Sequence, residues 1–346
     1  MNHPLTTLPS SDPSQILRYR DRQYAAELIT AALMHADFFT WLHQRTSVTS
    51  EEICAHFGFA PRPVDVLLTL CRANNLLTTD DDHRHHLTAQ SVDYFVSDSP
   101  WFMGPYYQPI KDTPIVLGFL SVLRSGKPAN WQAKDDAHDW HASMLDPEFA
   151  RNFTALMNCR GRVFGQFLAK ALAPHIGARR HLLDVGGGSG IYASALVAAY
   201  PELSASVLEQ SPVDSICRQE IANYGLEDKI TVIAADMFAQ DWPTVDMILF
   251  SNVLHDWDFP EVKILLQKAT EVLTHGGLLI IHDAFINDDK CGPLAVAEYS
   301  SLLMNITQGK CYSPQEYAAM LTDLGYEIGQ YQDTIGDRGF MTAVKI

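Results

Sequence analysis

The run Leu183-Asp184-Val185-Gly186-Gly187-Gly188-Ser189-Gly190 sets an acid just ahead of three evenly spaced glycines, Gly186, Gly188 and Gly190. Such a turn brings backbone close to a ligand, because no side chain obstructs it and tight turning is cheap for glycine. A dinucleotide fingerprint would need a further glycine three positions beyond Gly188, where Ile191 stands. Two more carboxylates follow at the ends of apolar runs: Glu209 after Ala205 to Leu208, and Asp236 in Asp236-Met237-Phe238. A carboxylate at the first of these places can accept hydrogen bonds from both hydroxyls of a ribose. At the second, Asp236 can meet an adenine amino group while Met237 and Phe238 pack the ring. No basic residue stands in these loops to meet a pyrophosphate, and acids suit a sulfonium. These residue types point to S-adenosylmethionine (SAM) rather than NAD or FAD. Either acid could instead cap the helix after it; their common register with the glycine loop favours the ligand role.

A second group of reactive residues is Ser251-Asn252-Val253-Leu254-His255-Asp256-Trp257. Histidine changes charge near neutral pH, and a neighbouring carboxylate can orient it and stabilise its cation. A lone histidine is commonly structural, but His255 falls at the same rim as the cofactor acids, which makes it the expected general base. Asp256 or Asp283 would orient it, and Ser251 joins the cofactor set. Met103, Phe119, Met157, Phe164, Trp257 and Met304 are the expected walls of a pocket for a flat aromatic ligand, since aromatic and Met side chains offer large, adaptable contact area. The polar run from Asp80 to His86 contains three histidines, but polar residues between apolar runs read as a solvated loop, and no metal site is expected.

These residues need elements to hold them. From residue 181 onward, short apolar strands alternate with amphipathic helices, the pattern of a doubly wound parallel sheet. The expected strands are His181 to Val185, Ala205 to Glu209, Ile230 to Ala234, Val245 to Ser251 and Leu278 to His282. A helix from Val262 to Leu273 would stop at Gly276-Gly277. Glu327 to Asp333 and Gly339 to Ile346 would add two strands at one edge. Ligands of such sheets bind at the carboxyl ends of the strands, where the acids and His255 fall.

Residues from about 15 to 100 show helical spacing instead, as in Ala25, Leu28, Ile29, Ala32, Leu33 and in Val64, Leu67, Leu68, Leu70. Thr49 followed by Ser50-Glu51-Glu52 reads as a helix start. With Pro61 and Pro63 opening a second helix, this half has the outline of a winged helix. The expected organisation is a winged-helix-like dimerisation domain over 1–100, a helical linker contributing to the substrate pocket over 101–175, and a SAM-binding Rossmann-like catalytic domain over 176–346. A chain of 346 residues has room for this.

The formal net charge of −16 repels phosphate backbones, so a winged helix here is expected to pair subunits rather than bind nucleic acid. The N-terminus lacks a signal-peptide pattern and no run of about 18 apolar residues occurs, so a cytoplasmic location without a membrane partner is expected. Six scattered cysteines without C-x-x-C spacing suggest reduced thiols.

Taken together, the glycine loop, Glu209, Asp236-Met237-Phe238, Leu254-His255-Asp256-Trp257 and the closing Met304 to Tyr317 segment resemble the plant-type O-methyltransferases of small phenolics. Their bacterial relatives in natural-product pathways, and the hydroxyindole O-methyltransferases, share the pattern. The resemblance covers nearly the whole chain. It implies a class I methyltransferase fold, SAM held by Glu209, Asp236 and Met237, His255 as the base, and a homodimer joined through the N-terminal domain. Two positions depart from the plant pattern. Asp283 and Cys311 stand where glutamates flank the plant histidine, and Ser251 replaces a frequent lysine. The expected function is methyl transfer from SAM to a hydroxyl of a small aromatic or polyketide-like metabolite. Alternatives are C-methylation of a 2-oxoacid or another carbon acid, and a SAM-binding enzyme that no longer methylates.

Overall fold

The computed structural model describes residues 3–129 and 144–346. Among them, residues 3–15, 144–285 and 314–346 form one compact unit, and 16–129 with 286–313 form another. The partition cuts across the continuous segments 1–100, 101–175 and 176–346, because 286–313 leaves the first unit and clusters with the helices of the second.

The first unit is built on an eight-stranded sheet. Its strands are β3 (His181–Val185), β4 (Ser204–Glu209), β5 (Ile230–Ala234), β6 (Val245–Ser251), β7 (Leu273–Asp283), β8 (Tyr326–Ile328), β9 (Gln332–Asp333) and β10 (Gly339–Lys345), following β1 (Leu77–Thr79) and β2 (His85–Leu87) of the other unit. The order is β5-β4-β3-β6-β7-β10-β8, with β9 also paired to β10. Neighbours from β5 to β7 are parallel, and β10 runs antiparallel to β7 and β8. The central strands are buried almost without interruption, as parallel strands covered on both faces must be. This is the mostly parallel, doubly wound α/β sheet that the alternating pattern predicts.

One local expectation needs correction. The helix over Phe259–Val272 begins earlier than expected, capped by Asp258, whose carboxylate accepts from Phe259 N at 2.8 Å. It does not run on to Gly276-Gly277. Those glycines lie inside β7, where the pairing jumps from Val245↔Leu273 to Met247↔Leu278. A Cβ on Gly277 would come within 2.7 Å of the Leu273 side chain and the Thr274 carbonyl, so glycine is needed for a tight bend in the strand. The tail adds its strands at one edge of the sheet, as expected, with β10 lying between β7 and β8, which places Gly339 opposite Asp283.

A 25-residue helix, Pro147–Ala171, packs on the helix Ile191–Ala199 that follows the glycine loop. Asp146 caps it, accepting from Phe149 N at 2.7 Å. Gly161 and Gly165 permit the close approach, since a Cβ on Gly161 would stand 2.4 Å from Ile191 Cγ2.

The second unit is mainly helical. Thr49 and Glu52 form a capping box at the start of the helix Ser50–Phe57, and Pro61 opens the helix Pro61–Ala73. The antiparallel pair β1 (Leu77–Thr79) and β2 (His85–Leu87) follows. The expected solvated loop from Asp80 to His86 therefore ends in strand, at His85 and His86. Asp80 closes the turn by accepting from Asp82 N and Arg84 N, which lets His85 fold inward to 3% exposure between Ser50 and Thr79 hydroxyls. Burial, aided by the Arg72 charge, pushes this imidazole down to about 4, so it packs neutral. Segment 286–313 is tied to the helix Pro61–Ala73 by Asp65, which takes Lys290 Nζ at 2.8 Å on both oxygens and also pairs with Lys310. Burial works to raise this carboxyl, but the Lys310 and Lys290 ammoniums outweigh it and hold it down to about 2. Among the described residues no helix is long and apolar enough to cross a membrane, and no three metal-ligating side chains gather into a group. All six cysteines are free thiols.

Candidate active site

The site is assembled where the parallel strands end. Asp184, next to last in β3, is 0% exposed and accepts from Ala193 N at 3.3 Å, which pins the first turn of the following helix. Gly186, Gly188 and Gly190 have φ of 64°, 58° and 72°. A Cβ on Gly187 would fall 2.8 Å from the Asp184 carboxylate, whereas beside Gly188 there is open space for 4 Å. Glu209, the last residue of β4, accepts from Gly188 N and Gln210 N, both at 2.8 Å. The second strand's acid thus holds the glycine loop of the first. Burial pushes Asp184 up to about 7, with the Glu209 charge adding to it, and burial raises Glu209 likewise to about 7 against the two N–H bonds. Two adjacent carboxyls poised to ionise beside an open, side-chain-free cradle suit a ligand that donates hydroxyls and carries positive charge.

Asp236 follows β5 and uses one oxygen to accept from Phe238 N at 2.8 Å, so it caps its own turn as well as standing at the rim. Met237 turns toward the glycine loop, its sulfur 3.8 Å from where a Gly186 Cβ would be. The Phe238 ring meets Trp257 edge-on with centroids 4.7 Å apart.

His255 lies just beyond β6. The chain leaves Ser251 through Asn252, held at φ 54° with its N–H bonded to the His282 carbonyl at 2.9 Å, and enters the short 3₁₀ turn Leu254–Asp256. Because β6 and β7 are parallel with Ser251 opposite His282, residues just past the end of one strand reach those ending the other. His255 Nδ1 donates to Asp283 Oδ1, and that oxygen also accepts from Ala284 N at 2.7 Å. Both side chains are buried, at 4% and 2% exposure. Nε2 is 3.6 Å from Asp256 Oδ1. Burial raises Asp256 to about 6, with His255 opposing and Asp283 reinforcing the shift. Asp283 is therefore the acid bonded to the imidazole, and a carboxylate acceptor on Nδ1 fixes the tautomer whose Nε2 carries the lone pair.

A polar network beneath the site went unnoticed in the sequence. Ser251 Oγ pairs with His282 Nδ1 at 2.8 Å and accepts from Asn252 Nδ2 at 3.2 Å. Asn252 Nδ2 also donates to the Tyr192 hydroxyl at 3.1 Å, and Arg338 Nε donates to Asn252 Oδ1 at 3.3 Å. Ser251, expected among the cofactor residues, thus engages its own rim. His282, one residue from Asp283, is pushed down to about 3 by burial and stays neutral. Two histidines thus lie where β6 and β7 end, and the network separates their tasks. The only sequence signal for the network is the polar pair Ser251-Asn252 closing an apolar strand.

The expected pocket residues divide between the units. Met157, Phe164 and Trp257 belong to the first; Phe164, 1% exposed, lies under the Arg160 and Arg338 guanidiniums, 5.7 and 5.6 Å from its ring. Met103, Phe119 and Met304 belong to the second, where Phe119 and Met304 are fully buried and Met103 is 45% exposed. Cys311, also in the second unit, is buried, with its N–H donating to Ser300 Oγ at 3.1 Å.

Comparison with known proteins turns this site into an assignment. Residues 121–327 match the model of the O-methyltransferase domain. The chain belongs to this family. The enzyme is 30% identical over 280 residues to the 3-hydroxy-5-methyl-1-naphthoate 3-O-methyltransferase of Streptomyces sahachiroi, covering 79% of this chain and 78% of that one. It is 28% identical over 315 residues to the L-tyrosine C(3)-methyltransferase of Streptomyces lavendulae, 87% and 83% of the two chains. An O-methyltransferase family 2 protein from Planctomyces limnophilus, solved in complex with apigenin, superposes with a TM-score of 0.88 at 28% identity over 99% and 98% of the chains. Solved proteins sharing the fold also include complexes with SAM and with SAH. The fold is that of a class I methyltransferase, and the methyltransferase is SAM-dependent.

Proposed function

We propose that this enzyme moves a methyl group from SAM to a hydroxyl of a small aromatic or polyketide-like metabolite, of the kind made in natural-product pathways, with His255 as general base. The observation that carries the reading is the buried Asp283–His255 pair at the rim shared with the glycine loop. SAM, when bound, supplies an electrophilic methyl on a sulfonium. The chain's own residues do the rest. Glu209 receives the ribose hydroxyls, Asp236 the adenine edge, and Met237 with Phe238 the ring faces. Asp184, Gly186 and Gly188 shape the cradle, and Ser251 braces the rim. His255 Nε2 takes the proton of the acceptor hydroxyl as the oxygen attacks, and the buried Asp283 carboxylate stabilises the resulting imidazolium. Asp256 adds negative charge beside Nε2. A phenol is a weak nucleophile while protonated, so removing that proton in line with the transfer is the useful task. Trp257, Met157 and Phe164 would supply apolar contact for the acceptor.

Calorimetric titration tests the cofactor half. SAM should bind, and Glu209→Ala should weaken it by about 1.5–3 kcal/mol, the usual loss for hydrogen bonds to a charged group. Undiminished affinity would remove Glu209 from the site. The raised Asp184 and Glu209 carboxyls fix the sign of a pH effect: hydroxyl donors and a sulfonium favour the ionised forms, so binding must release protons near and below pH 7. Affinity should therefore rise between about pH 6 and pH 8 and then level. A flat profile would contradict it.

We also propose a homodimer formed through the winged-helix-like second unit rather than DNA binding. Trp101 at 62%, Tyr106 at 82% and Leu117 at 45% exposure support a protein partner, as does the acidic balance of the chain. Light scattering should give twice the chain mass; a monomer at micromolar concentration would refute it.

A further inference from the structure

A cavity of 260 Å³ opens on the first unit between the helix Pro147–Ala171 and the helix Val213–Asn223. Arg151, Thr154, Asn158 and Arg162 line it from the long helix, and Glu220 from the other. The four follow helical spacing along one stripe, whereas Met157, Arg160 and Phe164 lie on a different one. The cavity is thus separate from the His255 site.

Three features mark it as more than a surface dent. In a chain of net charge −16, it gathers two arginines against one carboxylate, and that carboxylate is already engaged, accepting from Asn158 Nδ2 at 2.9 Å. Thr154 is only 2% exposed, yet its buried hydroxyl has no hydrogen-bond partner, a state native proteins rarely leave without a reason. Asn158 reaches past the cavity: its Oδ1 accepts from Ser189 Oγ at 3.0 Å, next to the Gly188 whose N–H is held by Glu209. One side chain therefore joins the cavity wall to the glycine loop.

We propose that this cavity is an effector site for a small oxyanion and that filling it tightens SAM binding through Asn158 and Ser189. The inference rests on reading the glycine loop as the SAM site. Guanidiniums are suited to carboxylate and phosphate oxygens, which they grip in pairs, and the Thr154 hydroxyl can donate to the same group. The volume equals that of about nine waters at roughly 30 Å³ each, which suits inorganic phosphate or a small carboxylic acid rather than a nucleotide. Occupancy would restrain Asn158 and so pre-order the loop, and it would add negative charge near a site for a cation. Both effects strengthen SAM binding.

The test is SAM titration of the full chain in a zwitterionic buffer, alone, with inorganic phosphate and with citrate, at ionic strength matched by sodium chloride. At least one anion should tighten SAM about fivefold or more, the lower range of ordinary coupling. The arm that responds tells phosphate from carboxylate. Arg151→Gln with Arg162→Gln, both at exposed positions, should keep the anion-free SAM affinity and lose the enhancement. No enhancement in the parent enzyme, or an equal one in the double variant, would overturn the proposal. Titrating each anion without SAM checks the cavity apart from the cofactor: binding should be present in the parent and lost in the variant, and its absence in the parent would refute the site. Failure of SAM to bind in any buffer would overturn the cofactor reading instead.

Discussion

Replacing His255 with alanine should lower kcat by about 10²–10⁴, the ordinary contribution of a positioned general base, and leave SAM affinity nearly unchanged. The separation follows from the geometry. The glycine loop, Glu209 and Asp236 stand at the ends of β3, β4 and β5, whereas His255 is set by β6 and β7. Neighbouring His282 cannot take over, because it is buried, bonded to Ser251 and held far below neutrality. Single-turnover kinetics with calorimetric SAM titration would check this. Unchanged kcat would mean that the acceptor arrives already ionised or that alignment alone drives transfer.

Replacing Asp283 with asparagine should cost about as much, on the order of 10²–10⁴ in kcat, although the residue never touches the acceptor. The carboxylate can only accept, so it keeps the proton on Nδ1 and the lone pair on Nε2. A carboxamide can donate to Nδ1 and so stabilise the wrong tautomer. Asp283 is accordingly a positioning residue, and the readout that distinguishes this from general damage is the acceptor's acidity. Phenols acidic enough to arrive ionised should recover most of the lost rate in Asp283→Asn. An equal deficit for weak and strong acids, with SAM affinity intact, would contradict the tautomer role.

What could be read in the residues was mostly local. The glycine loop and the acids Glu209 and Asp236 announce themselves because each follows its own strand within a few positions. His255 is visible for the same reason. Which acid serves it was not, because Asp256 is adjacent in sequence whereas Asp283 reaches the imidazole only through the pairing of β6 with β7. A run such as Gly339 to Ile346 says strand, but not that it inserts between β7 and β8. Gly276-Gly277 looked like a helix stop because glycine serves both caps and bends, and only the Leu273 contact tells them apart. The same ambiguity affects Phe119 and Met304: large apolar side chains suit a ligand pocket and a core equally, and both are fully buried. His85 went inward because a turn built on Asp80 outweighed the polarity of the run.

The central claim is that a methyl group passes from SAM to a hydroxyl oxygen of a small aromatic acceptor. The most direct measurement incubates the enzyme with SAM bearing a CD₃ label and a panel of phenols, hydroxynaphthoates, flavones and 2-oxoacids, then locates the label by mass spectrometry and NMR. A phenolic acceptor carrying OCD₃ is expected, with SAH formed in equal amount and both forming about 10²–10⁴-fold more slowly in His255→Ala. Label found on carbon, or no methylated phenol despite bound SAM, would contradict it.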